Sequence, residues 1–142
     1  MKTTKKAIIF VITAAFAIAL TLGNTTYAQQ AKAKPWPVPD KDKAMKSTVK
    51  AGDQAAINNG KELWAKHCKS CHGSKGTGDG PKAASLKTNP GDFSSKDFQA
   101  FTDGEIFYKT SVGRDEMPNY DKKIPDAKDR WDLVAYMRTF KK

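Results

Sequence analysis

The chain has 142 residues, with 25 lysines and arginines against 15 aspartates and glutamates, so its formal net charge is +10 at pH 7. This length suffices for one compact domain. The chain has only two cysteines, so it lacks the second cysteine pair that a four-cysteine zinc site needs.

The first 28 residues have the pattern of a secretory signal peptide. Three lysines precede an apolar run over residues 7–22, and Thr26-Tyr27-Ala28 offers a small-residue cleavage site. We predict export and cleavage after Ala28. The alternative is an uncleaved membrane anchor, but the 16-residue run is shorter than the roughly 20 residues that a spanning helix needs.

Residues 29–52 are predicted to form an extended N-terminal arm, and residues 53–142 the folded domain. The alternating stretch Pro35-Trp36-Pro37-Val38-Pro39 disfavours helix and favours a polyproline-like path. Trp36 either packs on the domain or contacts a partner, and we favour packing.

A first helix is expected from Asp53, a good N-cap, to about Cys68. Ile57, Gly60 and Trp64 recur at three-to-four spacing and share one face. Because glycine inside a helix costs about 1 kcal/mol relative to alanine, Gly60 indicates that another backbone crosses there closely.

The stretch Cys68-Lys69-Ser70-Cys71-His72 is the attachment pattern of a c-type haem. Cys68 and Cys71 would form thioethers with the two porphyrin vinyl groups, and His72 would supply the proximal nitrogen to the iron. A disulfide would leave His72 unexplained, and a thioredoxin-like site would need a βαβ setting that the flanking sequence lacks. One such motif predicts one covalently bound haem c.

A glycine-rich stretch follows over residues 73–81. It lacks the preceding strand and the lysine-serine pair of a phosphate-binding loop, so we exclude nucleotide binding. We expect a loop folded tightly beside a flat cofactor. The Pro81 carbonyl is predicted to accept the Nδ1 hydrogen of His72, which would orient the ligand.

The rest of the chain predicts an irregular segment and two more helices. Phe93 and Phe98 are expected to be core or haem contacts within residues 83–100. The stretch Thr102-Asp103-Gly104-Glu105 resembles a capping box, and the helix it opens would end at Gly113. Pro125-Asp126 would start a last amphipathic helix that runs to about Phe140. The predicted fold class is all-α.

The sixth iron ligand decides the function. The candidates are Met45, His67, Met117 and Met137. His67 precedes Cys68 and cannot reach the opposite haem face; Met137 suits the core, and Met45 lies in the arm. Met117, in a polar loop and followed by a proline, is therefore the predicted ligand.

Histidine and methionine together would leave no open site for oxygen or peroxide, and the soft thioether favours Fe(II). The expected function is thus a one-electron carrier between respiratory redox proteins, not an enzyme. Two alternatives remain: a haem subunit of a larger oxidoreductase complex, and a haem sensor or enzyme with an open sixth site.

In this order of motifs, from the CxxCH and the following proline to the Met-Pro loop and the terminal helix, the chain resembles a class I cytochrome c over residues 53–140. The resemblance implies that the first and last helices cross at Gly60, Trp64, Leu133 and Tyr136. It also implies a histidine-orienting carbonyl at Pro81 and an axial methionine at Met117.

The Trp36 arm and the Asp92-Phe93 pair are similar to a bacterial exported subgroup of that family, which implies a periplasmic protein. Arg114, Tyr108 and Trp131 are candidate propionate contacts.

The basic charge bears on the partners. Loss of the three signal-peptide lysines would leave 22 basic against 15 acidic residues, about +7. Because export argues against nucleic acid, we expect redox donor and acceptor proteins with acidic docking patches. We also expect a monomer that contacts membrane complexes peripherally.

Overall fold

The computed structural model describes residues 34–142. The predicted signal peptide and the first residues of the arm lie outside this range. Within it the chain forms six α-helices, one 3-10 turn and no β-strand, which confirms the all-α prediction. The elements are α1 (Asp40–Lys43), α2 (Gln54–His67), α3 (Lys69–His72), the 3-10 turn (Ala83–Ser85), α4 (Lys96–Gln99), α5 (Asp103–Val112) and α6 (Ala127–Arg138).

Helix α2 begins where the sequence predicts. The Asp53 side chain accepts a hydrogen bond from the Ala56 backbone amide at 3.1 Å, which satisfies one of the unpaired amides of the first turn. The helix ends at His67, and Cys68 joins it directly to α3. The first cysteine of the motif is therefore fixed by the end of a regular helix.

Helices α2 and α6 form the most extensive interhelical contact. A Cβ built on Gly60 would lie 2.1 Å from the Asp132 carbonyl oxygen, so the two backbones meet at this glycine. Leu133 is fully buried beside the crossing. The Asn59 amide donates to carboxylate oxygens of Asp129 and Asp132, both at 2.8 Å, and so joins the same two helices by hydrogen bonds.

Helix α5 has the predicted capping box. The Thr102 hydroxyl accepts from the Glu105 amide at 3.1 Å, and the Glu105 carboxylate accepts from the Thr102 amide at 2.8 Å. Gly113 ends the helix with φ +63°, a left-handed conformation that glycine adopts without strain. The chain then turns sharply toward the Met117 loop.

The arm is not extended throughout, because residues 40–43 form α1. The Pro39 carbonyl accepts from the amides of Asp42 and Lys43, which starts this turn immediately after the last of the alternating prolines. Val38 is 5% exposed, and the Trp36 ring lies against the Arg114 guanidinium. The described part of the arm thus packs on the domain.

The core lies between α2, α5 and α6. Met137, 3% exposed, is a core residue, as the sequence predicts. Trp131 is also buried and stacks on Phe107 with ring centroids 4.1 Å apart. No helix within residues 34–142 is long and apolar enough to cross a membrane.

Candidate haem-binding site

Cys68, Cys71 and His72 lie on a single helical turn that continues from α2. The Cys68 amide donates to the Trp64 carbonyl at 2.9 Å, and the amides of Cys71 and His72 both donate to the Cys68 carbonyl. No disulfide joins the two thiols; Cys68 is buried and Cys71 half-buried. The fold therefore presents two free thiols and an imidazole from one rigid segment.

The glycine-rich loop folds back onto this segment. The amide of Gly78 donates to the His72 carbonyl at 2.9 Å, and that of Gly80 donates to the Cys71 carbonyl at 3.2 Å. The Lys82 amide reaches the Ser70 carbonyl at 2.8 Å. These bonds satisfy carbonyls that the end of a helix leaves unpaired, so the loop fixes the backbone of the motif.

Trp64 connects the motif to the helix crossing. Its indole Nε1 donates to the Gly73 carbonyl at 2.9 Å, immediately after the motif. Its ring centroid lies 5.8 Å from that of His72 and 5.5 Å from that of Phe93. Sequence reasoning placed Trp64 at the crossing but missed this bond; the signal was available, because a buried indole N–H needs a partner.

Aromatic side chains surround His72. The His72 and Phe93 centroids are 4.7 Å apart, and Phe93 stacks on Phe98 at 4.1 Å with the ring planes 7° apart. Both phenylalanines are partly buried against the core. The irregular segment after the motif thus supplies an apolar boundary to the imidazole, as expected for Phe93 and Phe98.

Burial lowers the pKa of His72 to about 4, and a contact with the Pro90 backbone opposes this shift only in part. The imidazole is therefore neutral near pH 7 and able to donate a lone pair to a metal. Its Nδ1 atom is buried and makes no hydrogen bond to any residue in the described part of the chain. A neutral, half-buried imidazole whose Nδ1 atom is buried, beside two free thiols, fits the attachment of haem c.

The structure brings a second proline, Pro90, into question as the residue whose carbonyl orients His72, the role predicted for Pro81. The backbone that affects the His72 pKa is that of Pro90, whereas Pro81 is exposed. Sequence reasoning named only Pro81 for this role and did not consider Pro90. The role of Pro81 stays a prediction, and Pro90 is the alternative that the structure offers.

Burial also raises the pKa of the Cys68 thiol to about 12, and the nearby Cys71 adds to the shift. Tyr120, which donates to the His67 carbonyl at 2.7 Å, has its pKa raised to about 12, chiefly by burial. Burial thus favours the protonated form of the Cys68 thiol.

The loop that carries Met117 is closed by two backbone hydrogen bonds. The Arg114 amide donates to the Met117 carbonyl at 2.9 Å, and the Met117 amide donates to the Arg114 carbonyl at 2.8 Å. Asp115, between them, has φ +51°. Met117 is half-buried and packs against the core.

The other candidates for the sixth iron ligand lie in the core, against it, or beside Tyr120. Met137 is in the core, and Met45 is half-buried against it. The His67 ring lies 6.0 Å from that of Tyr120, and burial, followed by the charges of Lys66 and Lys123, lowers its pKa.

The three candidate propionate contacts differ in the contacts that they make within the protein. The Arg114 guanidinium donates to backbone carbonyls of the arm, and Trp131 is a core residue stacked on Phe107. Tyr108 is half-buried. Arg114 and Trp131 therefore already have structural roles within the protein.

Comparison with known proteins identifies a family and a solved structure with a similar fold. The family model described as Cytochrome c matches residues 57–141. A chain of the reducing HAO-like protein complex of Kuenenia stuttgartiensis has a similar structure, with a TM-score of 0.61 and 23% sequence identity. The similarity covers 78% of this chain but 52% of that chain, so this protein spans about half of its length. No curated protein matches the sequence.

Proposed function

Because this chain belongs to the cytochrome c family and therefore holds a covalently attached haem c, we propose that it is an exported one-electron carrier of the class I type. Haem c supplies the one-electron iron couple. The observation that carries the proposal is the state of His72: its imidazole is neutral and half-buried, its Nδ1 atom is buried, and two free thiols lie on the same helical turn. Cys68 and Cys71 would hold the porphyrin, and His72 would ligate the iron.

Met117 is proposed as the second axial ligand. Its loop is held by paired backbone bonds, and its side chain is half-buried, so little entropy remains to be lost when the sulfur is fixed. Met137 fills the core and is not free to leave it without opening a cavity. A thioether in the sixth position excludes small ligands, which favours a carrier over an enzyme.

Absorption spectra of the purified holoprotein test this ligation. We expect a weak thioether-to-iron band in the far red of the oxidised form and no change when carbon monoxide is added to the reduced form. Met117→Leu should abolish the band, lower the potential and allow carbon monoxide to bind. Met45→Leu, a half-buried methionine away from the loop, is the matched control and should behave like the wild type.

The opposite result would favour an open sixth site. A far-red band that survives in Met117→Leu would assign the sixth position to another methionine instead. Rapid carbon monoxide binding by the wild type would show that the sixth position is open. A haem sensor or enzyme would then be the better proposal.

A second candidate is a haem subunit of a larger oxidoreductase complex. It is favoured by the structural similarity to a chain of the reducing HAO-like complex, although that similarity concerns the fold. Size-exclusion chromatography of protein purified from its native membrane and soluble fractions separates the two. A stable stoichiometric complex would favour the subunit, and a monomer the free carrier.

Localisation and partners complete the proposal. We infer that the mature protein begins at Gln29 in the bacterial periplasm, which intact mass measurement of the exported protein tests directly. Its basic charge would steer it to acidic patches on a redox donor and acceptor, some of them in membrane complexes. The rate of its reduction by an acidic redox protein should fall as salt rises, and a salt-independent rate would exclude steering.

A further inference from the structure

The arm reaches the Met117 loop through Arg114. The Arg114 Nη1 donates to the carbonyl oxygens of Lys34 at 3.0 Å and of Pro35 at 3.1 Å. The guanidinium carbon also lies 4.5 Å from the centroid of the Trp36 ring. These are charge-assisted hydrogen bonds and a cation–π contact, which are stronger than their neutral counterparts. They join segments about 80 residues apart in the sequence.

The arm itself is held elsewhere on the domain. The Thr102 hydroxyl donates to the Lys43 carbonyl at 2.9 Å, and Val38 is 5% exposed. A Cβ built on Gly104 would lie 2.1 Å from the Asp42 carbonyl oxygen, so the carboxyl end of α1 fits directly onto the first turn of α5. The arm can therefore hold Arg114, because it is anchored independently of the Met117 loop.

Arg114 is also the residue paired with Met117. Its amide and carbonyl make the two backbone hydrogen bonds that close the loop, at 2.9 and 2.8 Å. On the other side of the turn, the Glu116 carboxylate accepts from the Lys87 amide at 2.8 Å. Glu116 is exposed, whereas the Arg114 side chain is only 26% exposed. Of the two side chains that tie the loop to other segments, that of Arg114 is thus the less exposed.

We propose that the N-terminal arm is a clamp on the loop of the sixth ligand, and that Arg114 and Trp36 are positioning residues for Met117. The inference rests on the proposed ligation of haem by Met117. With Arg114 fixed between two carbonyls and an indole ring, its backbone holds Met117 in place. Without these contacts the loop opens more often, and Met117 leaves the iron more often.

The test compares Trp36→Ala and Arg114→Ala with the wild-type holoprotein. The readouts are the far-red band of the oxidised form, the midpoint potential and the rate of carbon monoxide binding to the reduced form. We expect a weaker band, a lower potential and carbon monoxide binding that is roughly ten- to hundredfold faster, the range expected for loss of hydrogen bonds to a charged group. Trp36→Phe keeps a ring face and should restore most of the wild-type behaviour.

Two controls separate positioning from general destabilisation. Lys41→Ala changes an exposed residue of the arm and should leave all three readouts unchanged. Gly60→Ala weakens the fold at the crossing of α2 and α6 and leaves the contacts between the arm and Arg114 in place. Carbon monoxide binding to this variant should therefore remain slow as long as the protein is folded. Equal acceleration in Gly60→Ala, or unchanged rates in both arm variants, would overturn the clamp.

The wild-type spectrum distinguishes this failure from failure of the proposed function. A wild type that lacks the far-red band or binds carbon monoxide at once overturns the ligation by Met117, and the clamp with it. A wild type that shows the band, with arm variants that match it, overturns the clamp alone.

Discussion

Gly60→Ala is expected to separate the two main helices. The added methyl group would lie 2.1 Å from the Asp132 carbonyl oxygen and 2.8 Å from the Tyr136 Cβ. Ordinary contact begins near 3.4 Å, so the backbones must move apart by about 1.3 Å. Neither atom belongs to the flexible end of a side chain, and the movement would also stretch the Asn59 hydrogen bonds to α6.

The magnitude follows from two opposing terms. Overpacking costs about 1–3 kcal/mol, and the upper end applies here because a backbone is struck. Replacing glycine by alanine inside a helix returns about 1 kcal/mol. We therefore expect a loss of about 2 kcal/mol in the free energy of unfolding, or a fall in Tm of roughly 8–16 °C for a domain of this size.

Guanidinium unfolding of the holoprotein, followed by circular dichroism, measures this loss. Asn58→Ala is the matched control, because Asn58 is exposed on the same helix and gains helix propensity without a clash. If Gly60→Ala is as stable as the wild type, the helices do not meet as closely as the structure indicates.

Two further changes probe the surroundings of the motif. Trp64→Phe removes the bond to the Gly73 carbonyl and leaves a buried acceptor unpaired, so the free energy of unfolding should fall by about 1–3 kcal/mol; equal stability in guanidinium would show that the bond is dispensable. The pKa of Tyr120 is raised to about 12, so its contribution to stability is complete below pH 10 and is lost as the pH rises toward 12. Tyr120→Phe should flatten this alkaline loss in unfolding experiments, and an unchanged pH profile would contradict the assignment.

Local patterns predicted the regular elements well. The caps at Asp53 and Thr102, the end at Gly113 and the face of α6 depend on residues within a few positions of one another, which a single sequence displays. Helices α1 and α4 were missed. Alternating prolines precede α1, although Pro39 ends that pattern and starts the helix, and α4 is a single turn within the segment predicted to be irregular.

The contacts of the site were harder to predict, because they join distant segments. The motif itself identifies Cys68, Cys71 and His72. Whether Pro81 or Pro90 lies against His72 depends on the path of the glycine-rich loop, and the sequence pattern does not determine that path. Arg114 is another example, since nothing local to it indicates a contact with the arm.

The position of the helix crossing in the chain also affects how the protein folds. Residues 54–67 and 127–138 make the largest interhelical contact across about 60 intervening residues. Closing so long a segment costs chain entropy before any contact offsets it, and a high contact order slows folding. A fragment that stops before Ala127 lacks the partner for Gly60 and Trp64, so the surroundings of His72 can be completed only after the last helix has been synthesised.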